Sequence, residues 1–278
     1  MMKLYDDTCI QCSRLITIKY STSFSLGIKA LERKFRNPIF AIYGFVRFAD
    51  EIVDTFHDHD KDTLLKRFRN DTYLAISEGI SMNPVLHSFQ QVVRDYGIEN
   101  ELIDAFLDSM AMDLHFSQYD DSLYSQYIYG SAEVVGLMCL RVFCNGNNAE
   151  YERLKPDARS LGSAFQKINF LRDMKSDFSD RGRVYFPGID FTHFDNRHKQ
   201  MIEADVKSDF DAAYRGILRL PKGARFGVYL AYVYYLNLFD KIAKANAQQV
   251  LNNRIRVSDR RKIFLLFTSA IRNSLNLL

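Results

Sequence analysis

Two stretches of this 278-residue chain repeat one arrangement of oxygen-bearing side chains. In Ala164 to Pro187, AFQKINFLRDMKSDFSDRGRVYFP, the residues Gln166, Asn169, Asp173 and Asp177 stand at offsets 0, 3, 7 and 11. In Ile39 to Thr55, IFAIYGFVRFADEIVDT, the residues Tyr43, Arg47, Asp50 and Asp54 stand at offsets 0, 4, 7 and 11. On a helix, either set shares one face. Apolar residues flank both stripes. Phe165, Ile168, Phe170, Leu171 and Met174 are expected opposite the first, and Ile39, Phe40, Ile42, Phe45, Val46, Phe48, Ile52 and Val53 surround the second. A polar stripe bordered in this way points into a lined cavity more naturally than into open water. Each stripe ends in an Asp-x3-Asp pair. Like charges at that spacing destabilise a helix by roughly 0.2–0.5 kcal/mol in water, and by more in a dry setting. A cation must offset this. Arg47 and Arg172 are candidates, but Mg²⁺ fits better, because it takes one or two carboxylates and completes its shell with waters and substrate phosphates. A solvated acidic face would explain one such pair. Two matching pairs argue for a site.

Other stretches carry weaker signals. Tyr20 to Phe24, YSTSF, offers hydroxyls and amides to an anion, or is an ordinary capped turn. Asp113, in DSMAMDLHFSQY, reads as a cap or a structural hydrogen-bond partner. Gly130, Ser131, Ala132 and Gly136, in YIYGSAEVVGLM, admit the close approach of another helix or of an apolar ligand. Arg181 and Arg183 flank Gly182 one step beyond Asp177, where they either cover a phosphate–metal cluster or compensate a helix C-terminus.

These residues need long helices to hold them. The periodicity predicts helices near 7–20, 37–56, 60–78, 84–96, 99–117, 121–144, 150–178, 197–218, 224–251 and 257–276. Asn37 and Pro38 are expected as N-cap and first residue of the second helix. Strand alternation, Ser/Gly-rich linkers and internal repeats are all missing. The expected fold is all-α, a single domain over 1–278 with helices surrounding a cavity. The chain is 47% hydrophobic and 14% aromatic, enough for one large core. The balance of 37 Lys and Arg against 34 Asp and Glu gives no reason to expect nucleic acid. Cys9, Cys12, Cys139 and Cys144 lack a second C-x2-C and read as reduced thiols, which suits a cytoplasmic protein. The N-terminus has no apolar signal region and no run approaches eighteen apolar residues, so neither a signal peptide nor a transmembrane helix is expected. From Arg254 onward the chain is basic, then apolar. It is read as a core helix or as a peripheral contact with the inner face of a membrane.

Taken together, RFADEIVD (Arg47 to Asp54), LGSAFQKINFLRDMKSDFSDRGRVYFP (Leu161 to Pro187), YSTSF, the MAMD segment, YIYGSAEVVGLM and LPKGARFGVYLAYVYYLNLFDKI resemble the squalene/phytoene synthase family in order and spacing. The resemblance runs from Tyr20 to about Ile271. It implies an isoprenoid synthase fold and Mg²⁺-dependent head-to-head condensation of two prenyl diphosphates through a cyclopropyl intermediate. By matching position it implies that Asp50, Asp54, Asp173 and Asp177 hold Mg²⁺, with Glu51 and Asn169 nearby. Ser21, Ser23, Arg47, Arg172 and Arg183 would bind diphosphate. Tyr43, Tyr129 and Gln166 would face the reacting carbons, and Phe24, Val134 and Gly136 would line the tail channel. Two features depart from the pattern. Glu133 stands where many members have Gly, so that it either alters the channel or points outward. Gln166-Lys167-x-Asn169 is similar to the squalene branch, which uses NADPH. The RVYFP run favours the phytoene branch: two geranylgeranyl diphosphates condensed to phytoene, the first committed step of carotenoid synthesis, with no NADPH required. Squalene or dehydrosqualene synthesis from farnesyl diphosphate is the alternative. A non-catalytic assembly factor that keeps the fold is another, although such a protein should have lost its aspartates.

Overall fold

The structure is a computed structural model that describes residues 2–116, 118–179, 182–189 and 193–275. The elements in order are α1 (Met2–Tyr20), α2 (Thr22–Ala30), α3 (Arg33–Asp54), α4 (Lys61–Glu78), α5 (Pro84–Tyr96), α6 (Asn100–His115), α7 (Asp121–Ile128), a π-helical turn (Tyr129–Glu133), α8 (Val134–Cys144), α9 (Asn148–Ser179), α10 (Asn196–Arg219), α11 (Lys222–Lys244), α12 (Ala247–Asn252) and α13 (Asp259–Ser274). Among the described residues the sole strand-like pairing is an isolated bridge between Gln118 and Val184. The fold is all-α, with helices around a central cavity.

Tertiary burial moves several boundaries. Helix α3 begins at Arg33, so Asn37 is not its cap and Pro38 lies inside it. The extra turn buries Phe35 edge-on against Phe143, with ring centroids 5.5 Å apart. That contact outweighs the hydrogen bond proline removes. YSTSF is not a free turn: Ser21 caps α2, its Oγ accepting from the Phe24 N–H at 3.2 Å. The helix expected over 224–251 breaks at Ala245. Asn246 and Gln249 form a capping box there and start α12 anew.

Helix α3 is packed by α1, α4, α5, α6 and α8. Behind it Phe45 stacks on Phe89 at 3.9 Å, with Phe68 and Phe106 alongside. A second core surrounds α9, where Ile168, Leu171 and Met174 meet Val206, Phe210 and Ile242. Small residues let backbones approach between the two. A Cβ on Gly162 of α9 would stand 2.7 Å from the Ala132 carbonyl oxygen, and one on Gly130 would stand 2.3 Å from that of Ala105. The continuous helical run 121–144 is, against expectation, long and apolar enough to cross a membrane. However, 56% of that window is buried in the protein, as suits a core helix. All four cysteines are free thiols.

Candidate active site

Helices from α1 to α11 enclose a cavity of about 710 Å³ between the two cores. Along α9 its wall is one continuous stripe: Leu154, Ala158, Leu161, Phe165, Asn169, Asp173 and Ser176. Leu154 to Asp173 covers roughly 28 Å of helix rise. Helix α3 contributes Ile39, Ile42, Tyr43, Val46, Arg47, Asp50 and Asp54 on the facing side. The two acidic pairs meet at one end. Asp54 is the last residue of α3, and Asp177 lies in the last turn of α9. Helix C-termini carry partial negative charge, so carboxylates are unfavourable there. Nothing in helix stability asks for these four aspartates.

Arginines gather on them. Arg47 reaches Asp50 at 3.7 Å, ion-pairs with Glu51, and stacks over the Tyr20 ring at 4.4 Å. Its buried Nε has no partner. Arg172 Nε lies 3.0 Å from Asp173 Oδ2. Arg254 Nε is 2.8 Å from Asp173 Oδ1 but off the hydrogen-bond direction, so that buried oxygen accepts no hydrogen bond. Gly182, left-handed at φ 64°, turns the chain after α9, and the Arg183 N–H then donates to the Asp177 carbonyl at 2.8 Å. The Arg183 guanidinium lies 3.5 Å from Asp54 and 3.6 Å from Asp113, and donates to the Asp113 carbonyl at 2.8 Å.

Burial pushes the Asp50 carboxyl up to about 7. Arg47 pulls it down, and Asp54 and Asp113 raise it further. The side chain is 32% exposed and lines the cavity. Burial likewise raises Asp113 and holds the Tyr43 phenol up at about 12. On this structure the donors fit Mg²⁺. They are oxygens only, clustered at one end of the cavity, with one buried carboxylate oxygen, Asp173 Oδ1, left without a hydrogen bond. No group of three or more His, Cys, Asp and Glu among the described residues can enclose a metal alone. That suits an ion completed by waters and substrate phosphates.

Ser21, Phe24, Gly136, Gln166 and Arg172 also line the cavity. Four residues lie elsewhere. Glu51 is taken up by Arg47. Ser23 is half-buried on α2 beside the lining Ser21 and Phe24. Tyr129 sits under the Arg159 guanidinium, 5.2 Å away. Val134 is fully buried in the core behind α3, and Val135 lines the cavity instead. The π turn explains the last case: its extra residue rotates everything after it by about a third of a turn. Phe165 and Phe170, expected opposite the polar stripe, line the cavity beside it, whereas Ile168, Leu171 and Met174 are core. Glu133 points away to Arg159. Lys167 also turns away, to Asp209 at 2.8 Å and Asp205 at 2.5 Å on α10. Arg181 lies outside the described residues.

Sequence reasoning did not place three residues on the cavity wall, although it read one of them, Asp113, as a cap or the structural hydrogen-bond partner it proves to be. Asp113 accepts from the hydroxyls of Tyr127 at 2.8 Å and Tyr185 at 3.1 Å and tethers Arg183. Tyr235 stacks on Phe165 at 3.9 Å and donates to Asn169 at 3.2 Å. Arg254 is the third.

The family model for squalene/phytoene synthases matches residues 17–261. Phytoene synthase 1 of Solanum lycopersicum is 27% identical over 271 residues, 90% of this chain and 65% of that protein's length. The chain thus spans about two thirds of this relative. The 4,4'-diapophytoene synthase of Staphylococcus haemolyticus is 27% identical over 196 residues, 68% of this chain and 66% of that one. A solved dehydrosqualene synthase, crystallised with a ligand, has the same fold: its TM-score is 0.81 at 20% identity, covering 97% of this chain and 98% of that one. With a family match that takes in most of its length, this chain belongs to the squalene/phytoene synthase family.

Proposed function

We propose that this chain is a prenyltransferase that condenses two geranylgeranyl diphosphates head to head to phytoene, through prephytoene diphosphate, with release of diphosphate and without NADPH. One observation carries the reading: two Asp-x3-Asp pairs meet at one end of a single long, largely apolar cavity. Asp50, Asp54, Asp173 and Asp177 would hold Mg²⁺ ions, which when bound supply positive charge to the leaving diphosphate. Arg47, Arg172 and Arg183 bind the diphosphate oxygens and take up the charge that develops as the ester bond breaks. Tyr43, Phe165 and Tyr235 present aromatic faces and uncharged phenols to an allylic cation and keep water from it. The RVYFP run, Arg183 to Pro187, and the phytoene synthase of Solanum lycopersicum among the relatives support a twenty-carbon rather than a fifteen-carbon tail. Lys167 faces α10, so the lysine that resembles the reductant-using branch offers its charge elsewhere.

Diphosphate release from geranylgeranyl diphosphate tests this reading. Excess EDTA should abolish it, and Asp173→Asn should cut turnover by about 10²-fold or more with the helical fold intact. Turnover that is indifferent to both would refute the metal assignment.

A further inference from the structure

Helix α13 is docked by one face. Leu265 and Ser269 are buried, and Leu265 packs with Leu230 and Tyr234 of α11. The Tyr234 hydroxyl donates to the Lys262 carbonyl at 3.0 Å, and Arg272 donates to the Tyr229 hydroxyl at 3.3 Å. A surface helix docked in this way ordinarily turns polar residues outward. Here the outward face is apolar too. Phe264, Phe267, Ile271 and Leu275 stand at offsets 0, 3, 7 and 11, with Ile263 beside them, and all are between 52% and 64% exposed. One end of this stripe is basic. Arg256, Arg260 and Arg261 are exposed there, and the Arg261 guanidinium lies 5.1 Å over the Phe264 ring. The nearest acid, Asp259, is paired with Lys262 at 3.2 Å. Residues 260–275 contain no Asp or Glu.

We propose that the outward stripe of α13 docks the protein on an anionic lipid surface, with Phe264, Phe267 and Ile271 entering the headgroup–acyl boundary and Arg260 and Arg261 meeting lipid phosphates. Charge argues for this occupant. An aromatic and aliphatic stripe bordered by arginines binds membrane interfaces by apolar burial plus attraction to anionic headgroups. A second copy meeting the same stripe across a two-fold axis would bring two basic ends and no acid to receive them. The inference stands apart from the reaction, because none of these residues lines the cavity.

Flotation of the full chain with vesicles tests it. The protein should float with phosphatidylcholine vesicles containing one third phosphatidylglycerol, stay behind with pure phosphatidylcholine, and lose binding in high salt. F264E/F267E and R260E/R261E should each weaken binding about tenfold or more, while circular dichroism and diphosphate release from detergent-dispersed substrate stay unchanged. Three results would overturn the proposal: no flotation with anionic vesicles, flotation untouched by both variants, or a concentration-dependent dimer that F264E/F267E abolishes with no vesicle binding.

Discussion

Asp50 shows what the cavity asks of a single residue. Its folded-state pKa of about 7 lies above the ordinary 3.8, chiefly through burial. The folded protein therefore holds a proton that the unfolded chain gives up between those values. The stability from that proton is complete below pH 3.8 and is lost as pH rises through 7. In metal-free protein, Asp50→Asn escapes this loss. Its melting temperature should exceed the wild type's by about 2–4 °C or more at pH 8, with the gap closing toward pH 4. Added Mg²⁺ should then raise the wild-type value more than the variant's. A variant less stable than wild type at pH 8 without metal would contradict the charge argument. The four aspartates were legible in the sequence because offsets of 3 and 4 on a helix are enough to put them on one face. The place of Asp113 and Arg254 on the cavity wall was not. Asp113 meets Tyr127, Tyr185 and Arg183 from segments distant in the chain, and no periodicity reports such pairing.

At the scale of elements, the long amphipathic helices were readable and their interruptions were not. A π turn needs no special residue. Tyr129 to Glu133 looks like helix in sequence, yet its extra residue exchanges Val134 for Val135 at the cavity wall. What fixes this segment is contact with α9, at Gly162. Alanine there would gain up to ~1 kcal/mol of helix propensity. Its Cβ would, however, meet the Ala132 oxygen at 2.7 Å and the Glu133 Cα at 2.8 Å, backbone atoms that cannot step aside. Gly162→Ala should therefore lose about 1–3 kcal/mol in urea unfolding. A midpoint equal to or above wild type would mean that the two backbones are less tightly held than this contact requires. Pro38 follows the same logic, since burial of Phe35 against distant Phe143 overrode local propensity, whereas the break at Ala245 rests on a local capping box, Asn246 with Gln249.

For the whole molecule, the two cores leave between them a cavity whose polar end gathers carboxylates and arginines and whose long remainder is mostly apolar. The all-α class and the existence of a lined cavity were legible, because the polar stripes lie inside apolar helices. The cavity's extent was not, because it depends on how helices distant in the chain align. A twenty-carbon substrate is the central claim of this account. Its most direct test is the hydrocarbon formed. Purified protein with Mg²⁺ is given geranylgeranyl or farnesyl diphosphate, with and without NADPH, and the product is identified by mass spectrometry. The account predicts a forty-carbon phytoene from geranylgeranyl diphosphate, formed equally well without NADPH. A thirty-carbon product from farnesyl diphosphate alone, or no hydrocarbon from either substrate, would contradict it.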